Sequence, residues 1–171
     1  MEQVPEQIDT RTTIQNANEA NPGIRYRELL RMTGLANGVL AYHLGGLEKS
    51  DIIRADRKSR MTRYYPPRVS DAESTIIKYV RHEPIRNILV FIFENENCTF
   101  NEIVEHASRA PSTVSLHLKR LREDGVIFVR YGELHLYRVA DKELVSEVLS
   151  KYRPTLVDRM VDNFSETMEE L

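Results

Sequence analysis

The 171-residue chain has a single cysteine, Cys98, and no tryptophan. One thiol excludes an internal disulfide and a zinc site built on several thiolates. Glycine and proline number seven each, too few for a collagen-like or low-complexity chain. Long apolar runs are also missing. The longest, Ile88–Phe93, falls far short of the roughly 20 residues of a membrane helix, so no membrane partner is expected. The first residues, Met1-Glu-Gln-Val-Pro-Glu6, are acidic and polar rather than leader-like, and the expected compartment is the cytoplasm. His82, His106 and His135 are scattered with no cysteine partner, so no metal is expected. There is no nucleophile–base pair, phosphate-cradling glycine loop or catalytic pair of carboxylates. The expectation is a non-enzyme with no catalytic residue and no cofactor.

What remains is a globular composition, 41% hydrophobic and 29% charged, with a formal net charge of −2. That total argues mildly against a nucleic-acid partner, but the charge is segregated. Arg25 to Arg68 carries ten Lys or Arg against four acids; Met1 to Pro22 carries one against four, and Asp141 to Leu171 four against eight. A basic block between acidic ends says more about partners than the sum does.

A repeat organises the chain. Shifted by 74 residues, Ile24–Ile53 overlies Cys98–Ile127 without a gap, with identities at Glu28/Glu102, Ala36/Ala110, His43/His117, Leu44/Leu118, Leu47/Leu121 and Ile53/Ile127. Apolar pairs fall at Ile24/Cys98, Leu29/Ile103, Leu30/Val104, Leu40/Val114, Tyr42/Leu116 and Ile52/Val126. Tyr26/Phe100 align in the same way and read as core. One supersecondary unit therefore occurs twice.

Leu40, Leu44 and Leu47 stand at i, i+4 and i+7, as do Val114, Leu118 and Leu121, which marks one face of a helix. Its start is signalled by Asn37 in one copy and by Ala110-Pro-Ser112 in the other. Short helices over Arg27–Thr33 and Asn101–Ser108 precede it across a tight connection, making a helix-turn-helix. Two β segments follow in each copy, Ile52–Asp56 and Thr62–Tyr65 around a basic turn, then Val126–Arg130 and Leu134–Val139, in which Leu134, Leu136 and Val139 read as the apolar side. Helices over Arg11–Ala20, stopped by Asn21-Pro-Gly23, and Pro84–Glu96 open the two units.

The expected architecture is mainly α with small β wings: two winged helix-turn-helix domains in tandem plus C-terminal helices. The first domain spans residues 1–70, a connecting helix 71–82, the second domain 83–140 and a C-terminal helical segment 141–171. Helices over Asp141–Tyr152 and Thr155–Leu171 carry apolar stripes that either pack on their own domain or pair two chains.

The segments Asn21-Pro-Gly-Ile-Arg-Tyr-Arg-Glu-Leu29 and Leu40-Ala-Tyr-His-Leu-Gly-Gly-Leu-Glu48 resemble archaeal winged helix-turn-helix transcriptional regulators. Arg109 to Ile127 is similar to the recognition segment of the broad ArsR/MarR-type group. The likeness covers about 11–140 and implies a cytoplasmic, nucleoid-associated regulator that binds double-stranded DNA. Gly38, Gly45 and Gly46 depart from the polar or basic residues usual in a recognition helix, each at roughly 0.5–1 kcal/mol of helix stability. Either backbone comes close to something there, or that helix no longer reads bases.

In a DNA-binding reading, the helix flank opposite the leucine anchors meets base edges. That flank offers Asn37, Gly38, Ala41 and Tyr42 in copy one and Ser112, Thr113, Ser115, Leu116 and Lys119 in copy two. Phosphate contacts fall to Arg25, Arg27, Arg57, Lys58, Arg60 and Arg63. His43 and His117 are packing residues or phosphate donors. The second wing, Arg130-Tyr-Gly-Glu133, is short and carries an acid, so the first domain is expected to be the stronger contact. The leading reading is a homodimer, paired through its C-terminal helices, that regulates transcription from specific DNA sites. The alternative is a tandem winged-helix module that binds proteins, such as a partner in the transcription machinery.

Overall fold

A computed structural model describes residues 9–58 and 60–152. In chain order the elements are α1 (Thr10–Ala20), β1 (Ile24–Arg25), α2 (Tyr26–Thr33), α3 (Asn37–Lys49), β2 (Arg54–Asp56) and β3 (Arg63–Tyr65). They continue as α4 (Asp71–Val80), α5 (Glu83–Glu94), β4 (Cys98–Thr99), α6 (Phe100–Ala107), α7 (Pro111–Glu123), β5 (Ile127–Arg130), β6 (Leu136–Val139) and α8 (Lys142–Lys151). The offset of 74 relates both ends of β1 to β4, α2 to α6 and α3 to α7. Each half closes a three-stranded antiparallel sheet with the wing strand in the middle, β1-β3-β2 and β4-β6-β5. Two winged helix-turn-helix units in tandem result.

The local causes repeat as well. Glu28 and Glu102 are identical because each closes the start of its helix, accepting from the backbone N–H of Arg25 at 2.8 Å and of Thr99 at 2.7 Å. Gly34 and Ser108 end α2 and α6 in the left-handed conformation, which turns the chain sharply into the next helix. The Ile88–Phe93 run is helical, inside α5.

Each half has its own core. The first gathers Ile14, Ile24, Leu29, Leu40, Leu44, Leu47, Ile53 and Tyr64. The second is larger and includes Ile88, Leu89, Ile103, Val114, Leu118 and Leu121. It also takes in Ile76, Ile77, Tyr79 and Val80, so the helix expected as a connector contributes a whole face to it. Val145 and Val148 of α8 are buried in the same cluster, with Leu144 and Leu149 packed against it. The stripe of this first C-terminal helix therefore packs on its own domain. The expected helix over 155–171 lies outside the described residues.

The halves are joined at the Asn21-Pro-Gly23 turn. Gly23 has φ +78°, and a Cβ there would stand 3.1 Å from Ile77 and from Tyr65 and 3.2 Å from Arg81. Beside it Arg81 Nη2 donates to Glu28 Oε2 at 2.8 Å, and Tyr65 donates to the Ser74 carbonyl at 3.2 Å.

One strand reading needs correction. In β6 the inward residues are Tyr137 and Val139, while Leu134 lies beyond the strand and is 66% exposed. Tyr137 pairs with Cys98 on one side and Val129 on the other, and the two-residue period then brings Val139 to its face. Cys98 is buried beneath it, with its thiol 3.8 Å from the Tyr137 carbonyl. Burial pushes the thiol pKa up to about 11, leaving little thiolate at neutral pH. Native protein should therefore resist alkylation by iodoacetamide at pH 7.5 and label fully in denaturant; mass spectrometry reads the difference.

Candidate nucleic-acid interface

Helix α3 is anchored by Leu40, Leu44 and Leu47, which are 0%, 4% and 1% exposed. Asn37, Gly38, Ala41 and Tyr42 are all exposed on the opposite flank. A Cβ at Gly38, Gly45 or Gly46 would have open space within 4 Å, so no contact within the chain requires these glycines. In α7 the corresponding flank exposes Ser112, Thr113, Ser115, Leu116 and Lys119, the last pairing with Glu123 one helical turn on at 3.8 Å.

Tyr26 has a role that a core reading misses. Its ring packs against the first core, but its hydroxyl oxygen lies 2.7 Å from Asn37 Oδ1 and 2.9 Å from the Asn37 carbonyl. The phenolic proton thus holds the carboxamide at the start of α3 and leaves Nδ2 as the donor offered outward. The repeat register puts Phe100 and Pro111 at the equivalent places, so α7 has no such tether.

The basic residues divide into three groups. Arg27 and Lys58 are exposed. Arg57 is also exposed, but it clamps the wing to the end of α3 by donating twice to Glu48, once at 2.8 Å and once more closely. This pair holds the Glu48 carboxyl below its usual range. Arg25 and Arg60 line a cleft facing the second domain.

Arg63 is not a wing contact. It sits in the central strand, 7% exposed, and donates through Nη1 to the Gly23 carbonyl at 2.8 Å. Burial, with Arg25 and Arg81 nearby, lowers its pKa to about 10. A side chain so enclosed cannot reach the phosphate backbone of a duplex, although it lines the cleft between the domains. His117 is corrected likewise. It shares the inner face of α7 with Val114, Leu118 and Leu121, is 8% exposed, and its ring centroid lies 5.8 Å from that of His82. Packing accounts for it. His43 in the first copy is only half-buried.

The second wing is clamped at the same repeat positions with different chemistry. Arg122 donates to the Tyr131 hydroxyl at 2.6 Å, and these two residues lie 74 after Glu48 and Arg57. Around this wing Phe128, Tyr131 and Leu134 are 54%, 60% and 66% exposed. It presents apolar surface where the first wing presents charge.

Among the described residues no His/Cys/Asp/Glu group of metal-binding size occurs, and no helix is long and apolar enough to cross a membrane.

Residues 8–77 match a family profile described as an N-terminal HTH domain, and residues 83–128 match the bacterial regulatory protein, arsR family. The chain is 27% identical over 119 residues to an uncharacterized HTH-type transcriptional regulator, MJ1398, of Methanocaldococcus jannaschii. The match covers 70% of this chain and 30% of that protein, so the chain spans about a third of its curated relative. Similar solved structures include HlyU from Vibrio cholerae, at 23% identity and TM-score 0.42, covering 48% of this chain and 89% of that one. The transcriptional repressor BigR from Xylella fastidiosa gives 21% and 0.42, covering 47% and 82%. The homodimeric winged helix-turn-helix DNA-binding domain Mb0332 from Mycobacterium bovis gives 19% and 0.41, covering 57% and 84%. Each half of the chain thus matches its own helix-turn-helix profile, the second that of the arsR family, and about two thirds of the chain is similar to part of an archaeal HTH-type regulator.

Proposed function

We propose that the chain binds specific double-stranded DNA sites and regulates transcription from them, with the first domain as the principal reader. The observation that carries this reading is Asn37, exposed at the start of α3 with its carboxamide held by Tyr26, in a domain that also exposes Arg27 and Lys58. A pre-oriented carboxamide at a helix N-terminus suits adenine, to which it can both donate and accept. Fluorescence-anisotropy titration with duplex fragments at 50 and 200 mM salt tests it. Tight binding at low salt that weakens steeply at high salt is expected, and no binding at low salt would remove the reading.

Because Tyr26 acts through Asn37, Tyr26→Phe should keep the fold and the salt slope. It should reduce discrimination against a site whose adenine is replaced by roughly tenfold, the scale of one good base contact. Equal losses on every duplex would contradict this assignment.

The active species in this reading is a homodimer on a pseudo-palindromic site. The stripe of α8 is occupied by its own domain, so the sequence after Tyr152 is the part of the C-terminal segment whose contribution to pairing a truncation tests. Light scattering should give twice the chain mass, and a chain ending at Tyr152 should give the single mass.

The exposed Phe128, Tyr131 and Leu134 favour a second reading for the second domain alone, as a surface for a protein of the transcription machinery. A partner captured by the whole chain and lost with Tyr131→Ser and Leu134→Ser, at unchanged DNA affinity, would assign that role.

A further inference from the structure

Between the first domain's sheet and the second domain's α4, α5 and α7 lies a cleft of about 420 Å³. That is the size of a small-molecule site. Its lining is unbalanced in charge: Arg25, Arg60, Arg63, Lys78 and Arg120 face Glu123 and Asp124. Both carboxylates are already engaged: Asp124 accepts from Lys78 Nζ and from the Tyr79 hydroxyl, both at 2.6 Å, and Glu123 pairs with Lys119 at 3.8 Å. Arg63 is the built element of the site. It is more than nine-tenths buried, and the Gly23 carbonyl holds its guanidinium in one orientation at 2.8 Å. Glu28 is near enough to act on it but is bonded to Arg81 at 2.8 Å, so one carboxylate is shared among several guanidinium groups. Burial of a cation is costly unless an anion meets it, and guanidinium forks match the oxygens of phosphate.

We propose that this cleft binds a small phosphorylated metabolite, with Arg60 and Arg63 holding oxyanions from the first domain and Arg120 from the second. Tyr79, Met61 and Ile85 give the cleft its less polar wall. A ligand held from both sides fixes how the two domains sit relative to one another. If the DNA reading above holds, it thereby sets which spacing of sites the two units can meet. That regulatory consequence rests on the proposed function; the binding itself does not.

The test uses the full-length chain and sodium pyrophosphate, compared with sodium chloride at equal ionic strength. Calorimetry should show saturable binding of one pyrophosphate per chain, and the melting temperature should rise with it. Arg60→Gln and Arg120→Gln should each weaken binding roughly tenfold or more, as loss of a charged hydrogen bond does. Lys142→Gln removes the same charge away from the cleft and should leave binding unchanged. No binding beyond the chloride control, or equal losses in all three variants, overturns the proposal. The backbone phosphate of DNA is the other source of this chemistry, and competition distinguishes the two. A ternary complex with duplex and pyrophosphate supports the metabolite site. Displacement of pyrophosphate by duplex, mole for mole, overturns it in favour of a backbone contact.

Discussion

Leu47→Ala in the first domain and Leu121→Ala in the second are each expected to lower unfolding free energy by about 2–5 kcal/mol. Both side chains are 1% exposed or less and stand at the same turn of α3 and α7. Truncation removes apolar burial and leaves a void that the flanking helices and sheet fill only in part. The two residues one register off the anchors should behave in the opposite way. Tyr42 is 79% exposed and Leu116 47%, and they occupy equivalent positions in the repeat. Tyr42→Ala and Leu116→Ala should stay within about 0.5 kcal/mol of the parent, as surface changes do. Urea titration followed by circular dichroism separates the four variants. Equal destabilisation by the anchors and by the exposed pair would mean that the outer flank of each helix is covered after all.

Removing exposed charge from α2 and the first wing should act on DNA binding. Arg27, in α2, and Lys58, in the first wing, are both exposed. If each neutralises one phosphate, Arg27→Ala with Lys58→Ala lowers the slope of log affinity against log salt by about 1.8, and costs roughly tenfold in affinity per charge at low salt. The loss should be the same on every duplex, since phosphates carry no base identity. Arg57→Ala should differ. Its guanidinium holds the wing to Glu48, so its removal releases the hairpin as well as a charge. An unchanged slope in the Arg27/Lys58 double variant would place the DNA contact elsewhere.

The repeat made most of the fold legible. An offset of 74 brought anchors onto anchors, and the structure keeps that offset at both ends of α2 and α6 and of α3 and α7. Leu40, Leu44 and Leu47 could be assigned inward because a 3.6-residue period leaves no other face for them. Arg63 was not legible. It lies among wing cations in the sequence, yet it occupies the middle strand, where Gly23 supplies a buried carbonyl from 40 residues away. The partnership of Tyr26 with Asn37 crosses 11 residues and depends on the angle between α2 and α3, which periodicity does not encode. The wing clamps left a signal. Glu48 with Arg57, and Arg122 with Tyr131, are related by the same offset as the anchors, but Arg57 and Tyr131 lie past the matching span 24–53 and 98–127, and an ion pair in one copy becomes a bond to a hydroxyl in the other. Leu134 looked inward by composition, and only the pairing of Tyr137 between Cys98 and Val129 shows the true face.

Selection of duplexes from a random pool by the full-length chain, followed by sequencing, addresses base reading by α3 most directly. The expected result is an enriched two-fold-related motif that includes an adenine in each half, with preference at that adenine lost for Asn37→Ala and the rest of the motif retained. A pool that stays random at low salt, or a motif indifferent to Asn37, would contradict it.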